Sequence, residues 1–238
     1  MTPGPVGQVV RRHSSKLLKA LASATVSDRS PVVRQAMAGA AARVVAVAKE
    51  GAIDDYIKEL TTTYFDRGPE DSSIRSMVGN ACKDMLSMAS DAMKDFLPQL
   101  LPLVFIARED EEKEVLEAFQ TVWEEGAGST SAGLRIYSDE ISNAIRTHLA
   151  SPSWVVRKMA AKAAFASVDA GEGAGAADAP RASRAVSLIP ALKVCISNPR
   201  MWDGKDCVLK VCVFLSSCVC ACLFLCLLMH VNTHDVQY

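Results

Sequence analysis

The chain has 238 residues and a formal net charge of −1; half of its residues are hydrophobic and only 6% are aromatic. This length suits one large domain or two small ones. The apolar residues are mainly Ala, Val, Leu and Met, which favour helix packing over a β-sandwich. The near-neutral charge argues against nucleic acid as the main partner.

The eight cysteines are unevenly placed, with six of them between Cys207 and Cys226. Cys82 and Cys195 stand alone in amphipathic patterns, so we expect them to be small buried residues. A disulfide framework spreads its cysteines across the fold, so a reduced, cytosolic body is predicted. Residues 1–12 lack the apolar core of a signal peptide.

Three arginines share a register, each following an apolar residue just after a turn. Arg34 and Arg75 stand 41 residues apart, and Arg157 follows at twice that interval. A fixed period of this size is typical of helical repeats. We expect each arginine to reach the next repeat's acidic corner or the carbonyl groups of its own helix, and a series of such residues would tie neighbouring repeats together. The skipped position, 116, falls in another amphipathic run with an acidic start.

The predicted fold is all-α, an α-solenoid of about five HEAT/armadillo-like antiparallel helix pairs plus an apolar C-terminal helix. Residues 1–209 form the repeats, with a Gly/Ala linker at 169–185. The predicted pairs cover 5–49, 52–89, 90–125, 128–168 and 186–209. The first helix, about 5–22, has an apolar stripe of Val6, Val9, Val10, Leu17, Leu18 and Leu21.

Several segments carry more specific expectations. The segment 96–106 is apolar nearly all round, so it should be deeply buried, and its two prolines predict a kink or break. The methionine-rich face of 74–88 is expected in the core. The acidic run 108–114 and the basic cluster of residues 11–19 are interpreted as solvated helix faces, with partner surfaces as the alternative.

The sequence lacks the common motifs of metal, nucleophilic and nucleotide-binding sites. The four histidines, His13, His148, His230 and His234, have no metal-ligand spacing, and no nucleophile, Walker or kinase signature occurs. Cys218–Cys226 could ligate a soft metal, but its apolar setting disfavours this. No catalytic, cofactor-binding or metal-ligating residue is therefore assigned, and the chain is predicted to be neither an enzyme nor a cofactor protein.

The tail, 210–238, differs from everything before it. Val211–Met229 contains no charged residue over 19 positions and as a helix would span about 28 Å, enough for a bilayer core. One interpretation is a tail anchor with the body in the cytosol. The other, favoured because the composition changes abruptly in mid-repeat, is translated non-coding sequence.

Five segments occur in an order and spacing that resemble a known family. They are Leu101–Ala107, Thr121–Glu125, Gly133–Tyr137, Ser153–Ala161 and Arg200–Lys205. Together they resemble the C-terminal part of the proteasome adapter and scaffold protein family, which consists of very large HEAT-repeat proteins. The linker 169–185 is longer than the family's turn, and 211–238 departs from the family entirely.

The resemblance implies a non-enzymatic scaffold that tethers the proteasome core to its regulatory particle. It implies the 26S core and regulatory particles as partners, and a location in the cytoplasm and nucleus with links to the endoplasmic reticulum or endosomes. The family has no short catalytic motif, so no site residue is carried over. The alternatives are another HEAT-repeat binding protein, such as a transport receptor or chromosome-associated protein, and a tail-anchored membrane adaptor. Trp154 is interpreted as a packing residue at a corner.

Overall fold

The computed structural model describes residues 4–69, 71–169, 178–197, 202 and 204–218, and it divides the chain into two compact units, Met1–Gly133 and Leu134–Tyr238. Over these residues the regular structure is helical, with no strand. The predicted all-α class is confirmed.

Among its described residues the first unit contains seven helices, and an eighth begins near its end. They are α1 Pro5–Arg12, α2 Ser14–Ser27, α3 Pro31–Val45, α4 Glu50–Thr62, α5 Ser72–Met93, α6 Leu97–Ala107, α7 Lys113–Ala127 and α8 Thr130–Ile136. A π-helical turn, Thr63–Arg67, extends α4, and a 3₁₀ turn, Lys94–Phe96, precedes α6. The second unit contains α9 Ser138–Leu149, α10 Trp154–Asp169, α11 Asp178–Ser197 and α12 Lys205–Cys218.

The helices of each unit stack in two layers. In the first unit, α2, α4 and α6 form one layer, and α3, α5 and α7 form the other. In the second unit α9 packs on α11 and α10 on α12, while α9 also packs on α10 and α11 on α12. Turns of three to five residues join α2 to α3, α6 to α7 and α9 to α10, and the two helices of each of these pairs pack on each other. This is the packing expected of a helical repeat, in which each pair covers its neighbour's apolar face.

Four of the turns between the two helices of a pair contain the same type of hydrogen bond. A side-chain oxygen accepts a hydrogen bond from the backbone N–H two residues further on, which preorganises the next helix start. The donor–acceptor distances are 2.7 Å for Ser30 N to Asp28, 2.9 Å for Ser73 N to Asp71, 3.0 Å for Glu112 N to Asp110 and 3.2 Å for Ser153 N to Ser151. The acceptors recur about every 41 residues, so the repeat period seen in the sequence has a physical counterpart.

The core matches the predicted apolar faces of the middle helices. Ile53, Ile57, Leu60 and Tyr64 are all buried, as is every residue of α6 from Leu100 to Ala107. Met77 and Met85 are buried as predicted, whereas Met88 is 45% exposed. Pro98 lies in the first turn of α6 and only Pro102 lies inside that helix, while the non-helical residue occurs earlier, at Ala89 in α5.

The first predicted helix differs from the structure. It is broken at His13 into α1 and α2, and its apolar stripe is not a core face. Leu18 is buried, but Val6, Val9 and Leu17 are 78%, 58% and 38% exposed. The expectation failed because an apolar stripe is buried only where another element covers it, and α1 contributes no buried residue.

Two other segments depart from the predicted boundaries. Helix α11 begins at Asp178 within the expected linker 169–185, of which residues 170–177 lie outside the described residues. Helix α12 runs into the predicted tail, and Val208 and Val211 are fully buried. Residues 219–229 of the proposed anchor lie outside the described residues, and across the described part of the chain no helix has the length and apolarity needed to cross a bilayer.

Candidate functional site

A buried ion pair joins two successive corners of the first unit. Arg75, near the start of α5, is 6% exposed, and Asp110, in the turn before α7, is 4% exposed. The guanidinium Nε donates to Asp110 Oδ2 at 2.7 Å and Nη2 donates to Oδ1 at 3.2 Å. Nη1 donates to the carbonyl oxygens of Gly68 and Pro69 at 2.8 and 2.9 Å. Arg75 therefore reaches the acidic corner of the next repeat as predicted, whereas the carbonyl groups that it binds belong to the turn before α5 and not to its own helix.

Two further donors complete the surroundings of the Asp110 carboxylate. The Tyr64 hydroxyl donates to Oδ2 at 2.7 Å, and the backbone N–H of Glu112 donates to Oδ1 at 3.0 Å. Burial raises the pKa of Tyr64 well above its ordinary value, and the Asp110 carboxylate adds to this rise. A buried ion pair is tolerated when its remaining lone pairs are hydrogen-bonded in this way. The prediction that the whole acidic run 108–114 is solvated is wrong at Asp110, because Arg75 supplies a buried counter-charge.

The other arginines of the 41-residue register make different contacts. Hydrogen bonds, above all from the Ser73 hydroxyl, hold the pKa of Asp71 below 3.8, and the positive charge of Arg34 also lowers it. The Arg157 guanidinium lies 5.7 Å from the centre of the Trp202 ring. The residue at position 116 is Leu116, which is 38% exposed. The register is thus real, but its contacts vary from corner to corner.

The starts of α3, α5 and α7 line a groove of about 560 Å³, which we call the α3–α5–α7 groove. Most of its lining residues are polar, and they carry both signs of charge. The lining residues are Pro31, Arg34, Gln35, Ser72, Ser73, Ser76, Met77, Asn80, Glu112, Lys113, Glu114 and Val115. Amide and hydroxyl side chains that donate and accept hydrogen bonds suit an extended peptide better than an apolar small molecule.

A second groove of about 520 Å³ lies between α2 and α4. Its charged residues are Lys19, Asp55, Glu59 and Arg67, and Tyr56 lines its wall. Burial raises the pKa of Tyr56, and its hydroxyl is buried without a hydrogen-bond partner. This groove is therefore charged at its rim, and the Tyr56 hydroxyl in its wall stays protonated near neutral pH.

The two isolated cysteines lie in the core, and Trp154 lies at the surface. Cys82 and Cys195 are buried as predicted, and burial raises the pKa of the Cys82 thiol to about 12, which makes it unreactive. Trp154 is 48% exposed, with the Lys158 ammonium 6.0 Å from its ring centre, so it is not the packed corner residue that was expected. Tryptophan in the first turn of α10 lies at a helix start, where one side faces solvent. Within the described ranges, no three His, Cys, Asp or Glu side chains converge to hold a metal ion.

Comparison with known proteins connects this architecture to one family. Residues 5–65 match the HEAT-repeat domain model of the proteasome adapter and scaffold protein ECM29. The proteasome component ECM29 of Saccharomyces cerevisiae is 26% identical over 207 residues, which cover 87% of this chain and 11% of that protein. The Homo sapiens proteasome adapter and scaffold protein ECM29 is 25% identical over 211 residues, which cover 83% of this chain and 10% of that protein.

Solved structures give a weaker likeness. An engineered protein aligns with 89% of this chain and 90% of its own, at 13% identity and a TM-score of 0.37. A designed armadillo repeat protein aligns with 90% of this chain and 95% of its own, at 16% identity and a TM-score of 0.34. The assignment therefore rests on the sequence comparisons, in which the chain spans about a tenth of the length of its curated relatives. In sequence, the chain is similar to ECM29 proteins, which are named as proteasome adapter and scaffold proteins.

Proposed function

We propose that this chain is a non-enzymatic scaffold segment that binds proteasome particles along its stacked helices. The observation that carries the proposal is the polar α3–α5–α7 groove, formed by three helices of a repeat family whose relatives are proteasome adapters. Repeat proteins present such extended surfaces to protein partners.

The geometry of the first unit supports a binding role because the groove is built on fixed elements. Helices α5 and α7 are held together by the Arg75–Asp110 ion pair, immediately beside groove residues Ser76 and Glu112. A surface that is already ordered loses less conformational entropy when it binds a partner. The groove can therefore accept an extended segment without rearrangement of its backbone.

The finer proposals rest on the family. We propose that the partners are the proteasome core and its regulatory particle, that the chain helps to tether them, and that it acts in the cytoplasm and nucleus near the endoplasmic reticulum or endosomes. We also propose repeat pairs at about 5–49, 52–89, 90–125, 128–168 and 186–209. The recurring turns at Asp28, Asp71, Asp110 and Ser151 support this division.

The binding proposal is tested with purified 26S proteasome and the full chain immobilised on a sensor surface. Ser76→Arg places a long charged side chain in the groove, and Ser87→Arg makes the same change at an exposed position on the same helix outside it. We expect Ser76→Arg to weaken binding about tenfold or more and Ser87→Arg to leave it unchanged. Equal binding by both variants rejects the groove, and no binding by the folded parent chain rejects the proposed function.

A further inference from the structure

The junction of α1 and α2 contains a basic sequence followed by two serines, Arg11-Arg12-His13-Ser14-Ser15. Arginines three and two positions before a serine are the charge pattern that basophilic protein kinases recognise through acidic docking residues. Arg11 and Arg12 are both exposed, and residues 1–27 contain no Asp or Glu that would compete for them. We propose that Ser14 is a phosphorylation site for a basophilic serine/threonine kinase.

The folded structure holds Ser14 in a specific place. Its side chain is fully buried; the hydroxyl donates to the Arg11 carbonyl oxygen at 3.0 Å and accepts from the Lys49 backbone N–H at 3.4 Å. Phosphorylation therefore requires α1 to open first, since a kinase binds its substrate segment in an extended form.

The structure makes this opening easy. Helix α1 has eight residues, contributes no buried side chain, and is separated from α2 by a break at His13, whose backbone angles are φ −105° and ψ 10°. Segments with few buried apolar contacts open at a small fraction of the global unfolding free energy. Residues 11–15 can thus become extended while Leu18 keeps α2 in the core.

The reaction is an ordinary phosphoryl transfer with Mg-ATP as the donor. The Ser14 oxygen attacks the γ-phosphorus, the bond from that phosphorus to the bridging oxygen of ADP breaks, and ADP leaves. The hydroxyl proton passes to the kinase's catalytic aspartate.

The product cannot return to the unmodified arrangement. A phosphate with a charge of about −2 does not fit a fully buried site, so the Lys49 N–H loses its acceptor and α1 stays displaced. At the start of α2 the phosphate is stabilised by the helix dipole and by the nearby basic residues. Phosphorylation of Ser14 therefore displaces α1 from its position beside the start of α2.

The neighbouring Ser15 is the rival acceptor, because it is exposed and has Arg12 three positions before it. Its match to the kinase pattern is weaker, because His13 stands two positions before Ser15, where the pattern has an arginine. The two serines are therefore told apart by phosphosite mapping of single variants.

The test uses the full chain, Mg-ATP and the catalytic subunit of cAMP-dependent protein kinase, with phosphosite mapping by mass spectrometry. We expect phosphate on Ser14, retained in Ser15→Ala and absent in Ser14→Ala. Arg11→Ala should lower kcat/KM about tenfold or more, while Arg29→Ala, at an exposed arginine in the next turn, should not change it. Because both arginines are exposed, these two variants keep the test independent of any folding defect in Ser14→Ala.

A second measurement addresses the opening of α1. Hydrogen exchange of residues 5–12 should accelerate after phosphorylation, while exchange in α5 stays unchanged. Phosphate on Ser15 instead of Ser14 overturns the assignment. So does phosphorylation of a synthetic peptide of residues 8–18 with no phosphorylation of the folded chain, because it shows that α1 does not open.

Discussion

At the residue scale, Arg75 and Asp110 each form hydrogen bonds with three residues, counting each other. The Arg75 guanidinium pairs with Asp110 and donates to the carbonyl oxygens of Gly68 and Pro69. The Tyr64 hydroxyl and the Glu112 backbone N–H donate to the Asp110 carboxylate. The energetic consequence is asymmetric. A buried pair contributes modestly when both partners are present, but loss of one partner leaves an uncompensated charge.

We expect Arg75→Ala to lower the free energy of unfolding by about 3–5 kcal/mol, because Asp110 keeps its charge without a counter-ion. The double variant Arg75→Met with Asp110→Leu should lose less than Arg75→Ala, because it removes both charges. Urea denaturation of the full chain, followed by circular dichroism, measures both values. A double variant that is less stable than the single one contradicts the account of the ion pair.

The Asp71 side chain caps the start of α5, and this cap makes the stability of the protein depend on pH. Its carboxylate accepts from the Ser73 hydroxyl at 2.7 Å and from the backbone N–H groups of Ser73 and Ile74 at 2.9 and 3.3 Å. These hydrogen bonds hold its pKa below 3.8 in the folded state. Because the folded value is depressed, the cap's contribution is fully present above the ordinary carboxyl pKa and is lost as pH falls through the folded value.

We therefore expect Asp71→Ala to cost about 1 kcal/mol at neutral pH. The stability difference between the parent chain and this variant should stay constant from pH 7 to pH 5 and shrink below pH 3.8. Thermal melting across this range measures the difference. An advantage of the parent chain that persists unchanged at the lowest pH shows that the carboxylate is not the cap.

At the element scale, the closeness of α5 and α7 depends on small residues. A Cβ atom on Gly79 of α5 would lie 2.9 Å from the Cβ of Ala118 and 3.3 Å from the Phe119 ring, both on α7. Gly51, on α4, has no atom within 4 Å of the same position. Glycine is thus required for close helix approach at the first site and is free to change at the second.

Gly79→Val should push α5 and α7 apart and lower the free energy of unfolding by about 1–3 kcal/mol. Gly51→Ala, the matched control, should raise it by about 0.5–1 kcal/mol because alanine is the better helix former. Both values come from the same denaturation experiment. A neutral Gly79→Val shows that the two helices are not packed as described.

The sequence indicated some of these elements and not others, for physical reasons. The burial of α6 was predictable because Leu100–Ile106 is apolar on every side, so any neighbour buries it. The 41-residue register predicts that Arg75 reaches the acidic corner of the next repeat. It does not predict Asp110 as the partner, because Asp110 lies in an acidic run whose members look alike until the chain is folded. The aspartates at 28 and 71 begin the turns before Arg34 and Arg75, and Asp110 nearly continues their spacing.

At the scale of the whole molecule, most of the exposed large apolar residues lie on α1, α2 and α3 and on α11 and α12. Val6, Val9 and Leu17 lie on α1 and α2, and Val32 lies in the first turn of α3. Val186 and Val194 are exposed on α11, and Leu209 and Val213 on α12. Repeat arrays that remain soluble have polar faces on their terminal repeats. On these helices the exposed surface includes large apolar residues instead.

We expect the isolated chain to self-associate through these faces. Sedimentation velocity should show concentration-dependent oligomers, and Val9→Lys together with Val194→Lys should reduce them. Met88→Lys, at an exposed residue of α5 in the middle of the first unit, should have little effect. A parent chain that is monodisperse and unfolds cooperatively contradicts this expectation.

The proposal that the chain is a scaffold leads to one direct measurement. Purified proteasome core and regulatory particles, dissociated by salt and mixed under limiting conditions, are incubated with and without the full chain, and native gels measure the joined complex. A tether should increase the joined fraction and migrate with it, and Ser76→Arg should remove the increase while Ser87→Arg preserves it. A folded chain that binds neither particle, with no change in the joined fraction, contradicts the proposed function.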